Sequence, residues 1–363
     1  VHARLIGTGG AAGWPAEGCR CASCMGARRA GQHRRPGRVL VDGMLEFAAG
    51  QPFGQGTGPV AAPDYRLTRL PGGFDITGRD GGRLLLAAGP GEVPEARPDT
   101  APYDIALLDL LASPRQLGRL RADGLVGEHT AVAALYTDDR VSSADEMARR
   151  CAAWRAVAAV DGDVMSSGDT APAATAVERP HRTLIIGGAR SGKSAEAELR
   201  LAAEPDVIYL AAGPWPGDWT GADGEPDAEW VQRVAAHRAR RPSWWQTVET
   251  LDVAGQLRER TAAVLIDGMG TWLAAVMDEA GMWAGRADAG ALVQARVDDL
   301  ADAWRQTRAL VVAVTDQVGS GLVPPYPAGR VFRDQLGWLN QRLAAESELN
   351  LLVVAGRVTT LPG

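Results

Sequence analysis

The sequence predicts an α/β protein of two domains, the second built on a mostly parallel sheet with helices on both faces. Three observations carry this. Short apolar runs alternate with helical patterns from residue 181 onward. A glycine loop of phosphate-binding type lies between the first of those runs and the first of those helices. The stretch 166–180, SSGDTAPAATAVERP, lacks apolar periodicity and divides the 363 residues as an interdomain linker would.

With 46% apolar and 23% charged residues, the composition is that of a globular chain, which excludes wholesale disorder, collagen-like repeats and coiled coil. No run approaches the ~18 apolar residues a membrane helix requires. The first thirty residues carry Arg4, Glu17, Arg20, Arg28 and Arg29 where a signal peptide needs an apolar centre, so a soluble cytoplasmic protein is expected. A formal net charge of -6 argues against general nucleic-acid affinity.

The first domain is expected over 1–165. Arg38–Asp42 (RVLVD) and Arg83–Ala87 (RLLLA) are read as strands, with turn signals at Pro71-Gly72-Gly73 and Asp80-Gly81-Gly82. From residue 103, YDIALLDLL, a helical SPRQLGRLRADG, TAVAALYTDDR and SADEMARRCAAWRAV alternate strand and helix. The second domain, 181–363, is expected to run RTLIIGG, a helix through SAEAELRLAAE, DVIYLAAG, a helix near EWVQRVAAHRARR, AAVLIDG, a helix across 288–308, ALVVAVT, a helix around 330–346, and LNLLVVAG. Pro214–Trp230, rich in Pro, Gly and Trp, is read as a loop able to cover a site. No internal repeat is found.

Gly187-Gly188-Ala189-Arg190-Ser191-Gly192-Lys193-Ser194 satisfies G-x-x-x-x-G-K-[ST] in the required strand-loop-helix setting. Its glycines allow a turn whose N–H groups face phosphate oxygens, and the following helix adds its positive N-terminus. Lys193 reaches the outer phosphates and Ser194 can ligate Mg²⁺. Lys193 is the only lysine among the 38 basic residues, which marks a position where arginine does not serve. Asp267, ending the run AVLID, fits either a carboxylate facing the nucleotide and its metal or an ordinary strand-ending aspartate.

His237 stands in RVAAHRARRPSWW. An imidazole among arginines has its charged form disfavoured, leaving a neutral nitrogen able to attack a nucleotide α-phosphate; the alternative is a helix-terminal histidine on a basic surface. Four cysteines are too few for a disulfide scaffold, and Cys19-x-Cys21-x-x-Cys24 reads as metal before disulfide.

From about 182 onward the chain resembles the bifunctional adenosylcobinamide kinase/adenosylcobinamide-phosphate guanylyltransferase family. The marks are GGARSGKS at 187–194, YLA at 209–211, D-x-E at 227–229, RVxxH at 233–237, RRPxxW at 240–245, T-x-E at 247–249 and FRDxxGxxNQRLA at 332–344. The resemblance implies a P-loop fold that binds GTP or ATP, a trimeric homo-oligomer, and a corrinoid substrate, adenosylcobinamide. It makes His237 a guanylylated nucleophile, and Ala211, Ala212, Gly213, Arg238, Ala239, Arg240, Arg241, Glu249 and Asp267 a lining of the nucleotide site. The sequence departs from the family at Asp316-Gln317, where Asn-Glu is usual, at Pro325-Tyr326-Pro327, at Trp338, where arginine is common, and at Ala212. A drifted acceptor, or a nucleotide-binding scaffold without activity, is the alternative these departures leave open.

In the first domain, Leu5-Ile6-Gly7-Thr8-Gly9-Gly10, Gly13-Trp14-Pro15, the three cysteines and Val41-Asp42-Gly43 resemble the opening of a metallo-β-lactamase-fold protein of the coenzyme-PQQ-biosynthesis and cyclic-phosphate phosphodiesterase type. This implies a structural Zn²⁺ on Cys19, Cys21 and Cys24, with His33 and Cys151 as candidates for a fourth ligand and reduced thiols without metal as the alternative. The H-x-H-x-D-H signature is absent, and Asp138-Asp139 have no adjacent histidines. A truncated, catalytically inactive domain is therefore expected.

Overall fold

The computed structural model describes residues 1–49, 64–70, 72–87, 101–168, 179–213, 231–232, 234–235, 238–239 and 241–362. The segment Pro214–Trp230, His237, Arg240 and the linker stretch 169–178 lie outside the described residues. The chain divides into two compact units, Val1–Arg179 with Ala202–Pro205, and Pro180–Leu201 with Asp206–Gly363.

The first unit contains two sheets. One has the order β10-β1-β2-β3, with β1 His2–Gly7, β2 Arg38–Val41, β3 Leu45–Ala48 and β10 Val164–Ser166, all antiparallel. The other has the order β4-β5-β6-β7-β8-β9, with β4 Arg66–Leu70, β5 Gly73–Thr77, β6 Arg83–Ala87, β7 Ile105–Leu108, β8 Ala131–Ala134 and β9 Val157–Ala158. It is antiparallel through β6 and parallel from β6 to β9. Ala3, Leu5, Val39 and Val41 of the first sheet share one core with Ile76, Leu84, Leu86, Ile105 and Leu107 of the second, so the two sheets pack face to face. The other face of the second sheet buries Leu85 and Ala106. The helices α2 Pro114–Ala122 and α3 Ala144–Ala153 bury Leu117, Leu120, Met147 and Cys151.

Two local readings change here. Ser166, expected to open the linker, pairs with His2 as the last residue of β10. The region expected as strands and loops also holds a helix, α1 Ala22–Arg29, whose N-cap is Cys21.

The second unit is a seven-stranded sheet of order β13-β12-β14-β15-β11-β16-β17, with β11 Arg182–Gly187, β12 Val207–Ala211, β13 Gln246–Glu249, β14 Ala263–Asp267, β15 Val311–Asp316, β16 Leu349–Val354 and β17 Arg357–Thr360. Every pairing is parallel except β16 with β17. Buried runs such as VIYL and AVLI give strands covered on both faces. One face packs α5 Val253–Glu259, α6 Met269–Glu279, α7 Ala289–Gln306 and α8 Pro327–Ala345, through Leu257, Trp272, Trp304 and Leu339 among others. The other face packs α4 Lys193–Leu201 and Trp245. The sequence reading lacked α5, α6, β13 and β17; α6 escapes because its half-buried positions Thr271, Ala274 and Ala275 hold small residues, so its charged contrast is confined to Asp278 and Glu279 at its end.

Candidate functional site

Parallel order brings the C-terminal ends of five strands to one edge. Gly187 of β11 lies level with Asp316 of β15, and Ala211 of β12 lies level with both Glu249 of β13 and Asp267 of β14. Ligands of open α/β sheets collect at that edge.

The loop between β11 and α4 has the shape its glycines require. Gly192 adopts φ +100°, and a Cβ on Gly187 would lie 2.5 Å from Ser191 Oγ and 2.7 Å from the Val353 carbonyl oxygen. Gly188, Ala189 and Arg190 are exposed, whereas Gly187 and Ser191 are buried. Ser191 Oγ has no hydrogen-bond partner among the described residues. Lys193 is buried at the start of α4; its Nζ donates to the Gly188 carbonyl at 3.1 Å and lies 2.8 Å from Asp316 Oδ1.

Beside it, Ser194 Oγ donates to Asp267 Oδ1 at 3.4 Å, and the Tyr209 hydroxyl donates to Asp267 Oδ2 at 2.7 Å. Burial, reinforced by the Asp267 charge, drives the Tyr209 phenol well above its ordinary value, so it stays a donor. The Arg241 guanidinium carbon stacks 3.3 Å from the centre of the Tyr209 ring. Arg241, Tyr209, Asp267 and Ser194 thus form a continuous chain of contacts.

A cavity of about 530 Å³ is lined by Arg238, Arg241, Trp245, Thr247 and Glu249, with Pro242 and Ser243. Arg238 pairs with Glu249 Oε1, and Arg241 donates to Thr247 Oγ1 at 3.1 Å. Glu249 Oε2, Arg241 Nε and Trp245 Nε1 are buried without a hydrogen-bond partner among the described residues. Orphaned donors and an orphaned carboxylate oxygen beside one cavity suit a polar ligand that offers both donors and acceptors. Ala212 is buried and Gly213 half-buried just beyond β12, and Ala239 is exposed. His237 and Arg240 lie outside the described residues, while Arg238 and Ala239, next to His237, are helical. Residue-by-residue reading could not pair Lys193 with Asp316 or Asp267 with Tyr209, because each contact depends on which strands are neighbours.

The first unit carries the cysteine cluster. The sulfurs of Cys19, Cys21 and Cys24 lie within 4.8 Å of one another, compatible with the edges of a tetrahedral thiolate site with Zn–S near ~2.3 Å. Cys21 Sγ accepts from the Cys24 N–H, which, with Cys19, lowers the Cys21 thiol; burial pushes the Cys24 thiol up to about 11. Among the described residues the cluster includes neither His33 nor Cys151. Cys151 is buried on α3, where burial pushes its thiol up to about 12. The Arg140 guanidinium bridges the carboxylates of Asp138 and Asp109.

No helix among the described residues is long and apolar enough to cross a membrane. Residues 183–361 match the family described as cobinamide kinase / cobinamide phosphate guanyltransferase. The bifunctional adenosylcobalamin biosynthesis protein CobP of Pseudomonas aeruginosa is 35% identical over 188 residues, 50% of this chain and 98% of that one. The bifunctional adenosylcobalamin biosynthesis protein CobU of Escherichia coli is 33% identical over 183 residues, 48% of this chain and 95% of that one. Its namesake of Salmonella typhimurium is 33% identical over 191 residues, with the same shares. Because it covers 95–98% of the length of these relatives at 33–35% identity, the chain belongs to the cobinamide kinase / cobinamide phosphate guanyltransferase family.

Proposed function

We propose that the chain is a bifunctional transferase of cobalamin biosynthesis that phosphorylates adenosylcobinamide with GTP or ATP and then converts the phosphate to adenosylcobinamide-GDP. Family membership carries the activity and the corrinoid substrate class. The observation that carries the site is the convergence of Lys193, Ser194, Asp267 and the orphaned polar atoms of Arg241 and Glu249 on one sheet edge.

In the first half-reaction, the loop N–H groups and Lys193 hold the outer phosphates while the hydroxyl of the corrinoid side arm, giving up its proton to solvent, attacks the γ-phosphorus, and the nucleoside diphosphate leaves. Positioning and charge stabilisation account for most of such a step. Ser194 and Asp267 are the oxygen donors suited to Mg²⁺, which supplies charge neutralisation on the β- and γ-phosphates. In the second, a His237 nitrogen attacks the α-phosphorus of GTP, forming an N–P bond as the α–β bridge breaks and pyrophosphate leaves. The new corrinoid phosphate then displaces the histidine and takes up GMP. Arg238, Arg240 and Arg241 stabilise charge on the α-phosphate, and Ala211, Ala212, Gly213 and Glu249 complete the lining.

The same reading treats 1–165 as a metallo-β-lactamase-like domain that no longer catalyses, 166–180 as linker and 181–363 as the transferase domain, in a cytoplasmic homo-oligomer of trimeric type. The two face-packed sheets support the first assignment. The Arg140 bridge between Asp109 and Asp138 supports its inactivity, because a guanidinium fills the space between carboxylates that a metal would need. The sulfur cluster supports a structural Zn²⁺.

The test is mass spectrometry of intact protein and products after mixing with Mg²⁺-GTP, with and without adenosylcobinamide. An acid-labile GMP adduct, absent in His237→Ala, together with adenosylcobinamide-GDP is the expected result. An undiminished adduct in His237→Ala overturns the nucleophile. Bound nucleotide with neither adduct nor product overturns the transferase reading.

A further inference from the structure

The chain has one lysine, and its ammonium is shared. Lys193 Nζ touches the Gly188 carbonyl at 3.1 Å and Asp316 Oδ1 at 2.8 Å, with the lysine side chain 8% exposed and the aspartate 36% exposed. Asp316 is itself held in place. It ends β15 beside the phosphate-loop strand, level with Gly187, and its carbonyl accepts from Asn340 Nδ2 of α8 at 3.1 Å. Its second carboxylate oxygen packs against the first turn of α6, so closely that a Cβ on Gly270 would lie 2.8 Å away. One carboxylate oxygen thus meets the ammonium while the carbonyl of the same residue is anchored by Asn340, which suits a fixed counter-ion.

An ammonium offers three donors. With one on Gly188 and one directed at Asp316, a phosphate cradled by the loop takes its share beside a fixed negative charge. The acid stands on the residue that reaches Lys193. An asparagine there would bring no charge to the ammonium.

We propose that Asp316 is a positioning residue for Lys193, holding the ammonium at the mouth of the phosphate loop in competition with the nucleotide's outer phosphates, so that it trades nucleotide affinity for alignment of the transferred phosphoryl group. This rests on the kinase reading above and deepens it. The ion pair and the phosphates draw on the same charge, so affinity and turnover move in opposite directions when the carboxylate is neutralised.

The experiment compares wild type, Asp316→Asn and Asp316→Glu in the full chain. GTP and ATP affinities are measured by calorimetry with and without Mg²⁺, and phosphoryl transfer to adenosylcobinamide by product formation. Asp316→Asn is expected to bind either nucleotide about three- to tenfold more tightly, the range for losing a part-exposed charge contact. Its kcat falls while KM for nucleotide also falls, and Asp316→Glu restores part of the kcat. A second readout uses the single lysine: reductive methylation with ¹³C-formaldehyde places one side-chain dimethylamine signal on Lys193, and Asp316→Asn is expected to shift it. Unchanged or weaker nucleotide binding in Asp316→Asn, or an unmoved Lys193 signal, overturns the proposal. Affinity and the lysine signal need no corrinoid. A chain that shows both effects but makes no corrinoid product refutes the kinase reading alone; a productive chain without these effects refutes the role of Asp316 alone.

Discussion

Replacing Tyr209 with Phe removes one oxygen atom and tests the contact chain that joins the arginine-rich segment to the phosphate loop. The ring is 2% exposed and packed among Ile185, Leu201, Val207 and Leu265, and the phenylalanine keeps this packing and the surface beneath Arg241. What disappears is the 2.7 Å donation to Asp267 Oδ2. A hydrogen bond to a charged group is worth about 1.5–3 kcal/mol. Deleting the hydroxyl also removes its own burial cost, so the lower part of that range, about 1.5–2 kcal/mol, is expected. For a unit of this size 1 kcal/mol corresponds to roughly 2–4 °C, so the melting temperature of the second unit should fall by about 3–8 °C. Differential scanning calorimetry supplies the measurement, and a double-mutant cycle with Asp267→Asn isolates the pair, with a coupling of about 1–2 kcal/mol expected. An unchanged or raised melting temperature, or strict additivity in the cycle, would refute the claim that this hydroxyl holds Asp267 in place.

Asn340→Leu should cost about 2–3 kcal/mol in urea unfolding, because it strands the buried Thr315 hydroxyl, which donates to Asn340 Oδ1 at 2.6 Å, and the Asp316 carbonyl; a neutral result would show that the end of β15 is held some other way. Asp161 governs an acid-dependent part of the first unit's stability: burial alone would raise its pKa, but the Arg35 N–H and the Thr8 hydroxyl and N–H outweigh burial and leave it lowered. A lowered folded pKa gives stabilisation that is complete above the unfolded value near ~3.9 and lost as pH falls through the folded one, so Asp161→Asn should flatten the stability curve below about pH 4. A curve as steep as wild type would assign the acid sensitivity elsewhere. Protein purified in zinc-containing buffer should carry zinc by elemental analysis and lose it in a Cys21→Ser, Cys24→Ser variant, whereas equal zinc in both would remove the cysteines from any metal site.

What could be read from the sequence was what depends on consecutive residues. The phosphate loop is a single stretch, Gly187 to Ser194, and its glycines, lysine and serine each have a local reason to be there. The strands β11, β12, β14, β15 and β16 announced themselves because burial on both faces forces apolar runs, and α7 and α8 because they have one apolar side. Met269–Glu279 was hidden for the opposite reason: its half-buried side, Thr271, Ala274 and Ala275, carries small residues rather than charges, so the polar contrast by which helices are recognised is weak. Cysteine spacing likewise foretold a cluster that α1 closes by turning Cys24 toward Cys21, although the helix itself was not foreseen.

Pairings across the sheet had no such signal. Lys193 and Asp316 lie far apart in sequence and meet because β15 lies between β11 and β14. Tyr209 reaches Asp267 because β12 and β14 are neighbours in parallel register. A β-strand's sequence states how its two faces differ and leaves its partner unstated, since backbone hydrogen bonds are the same for every neighbour. Sequence by itself therefore determined the chemistry available along this chain, a candidate phosphate-binding lysine, a nucleophilic histidine candidate and a cluster of cysteines. Only the tertiary structure, through strand order and register, decided which carboxylates stand beside that lysine and which polar atoms are left facing a ligand.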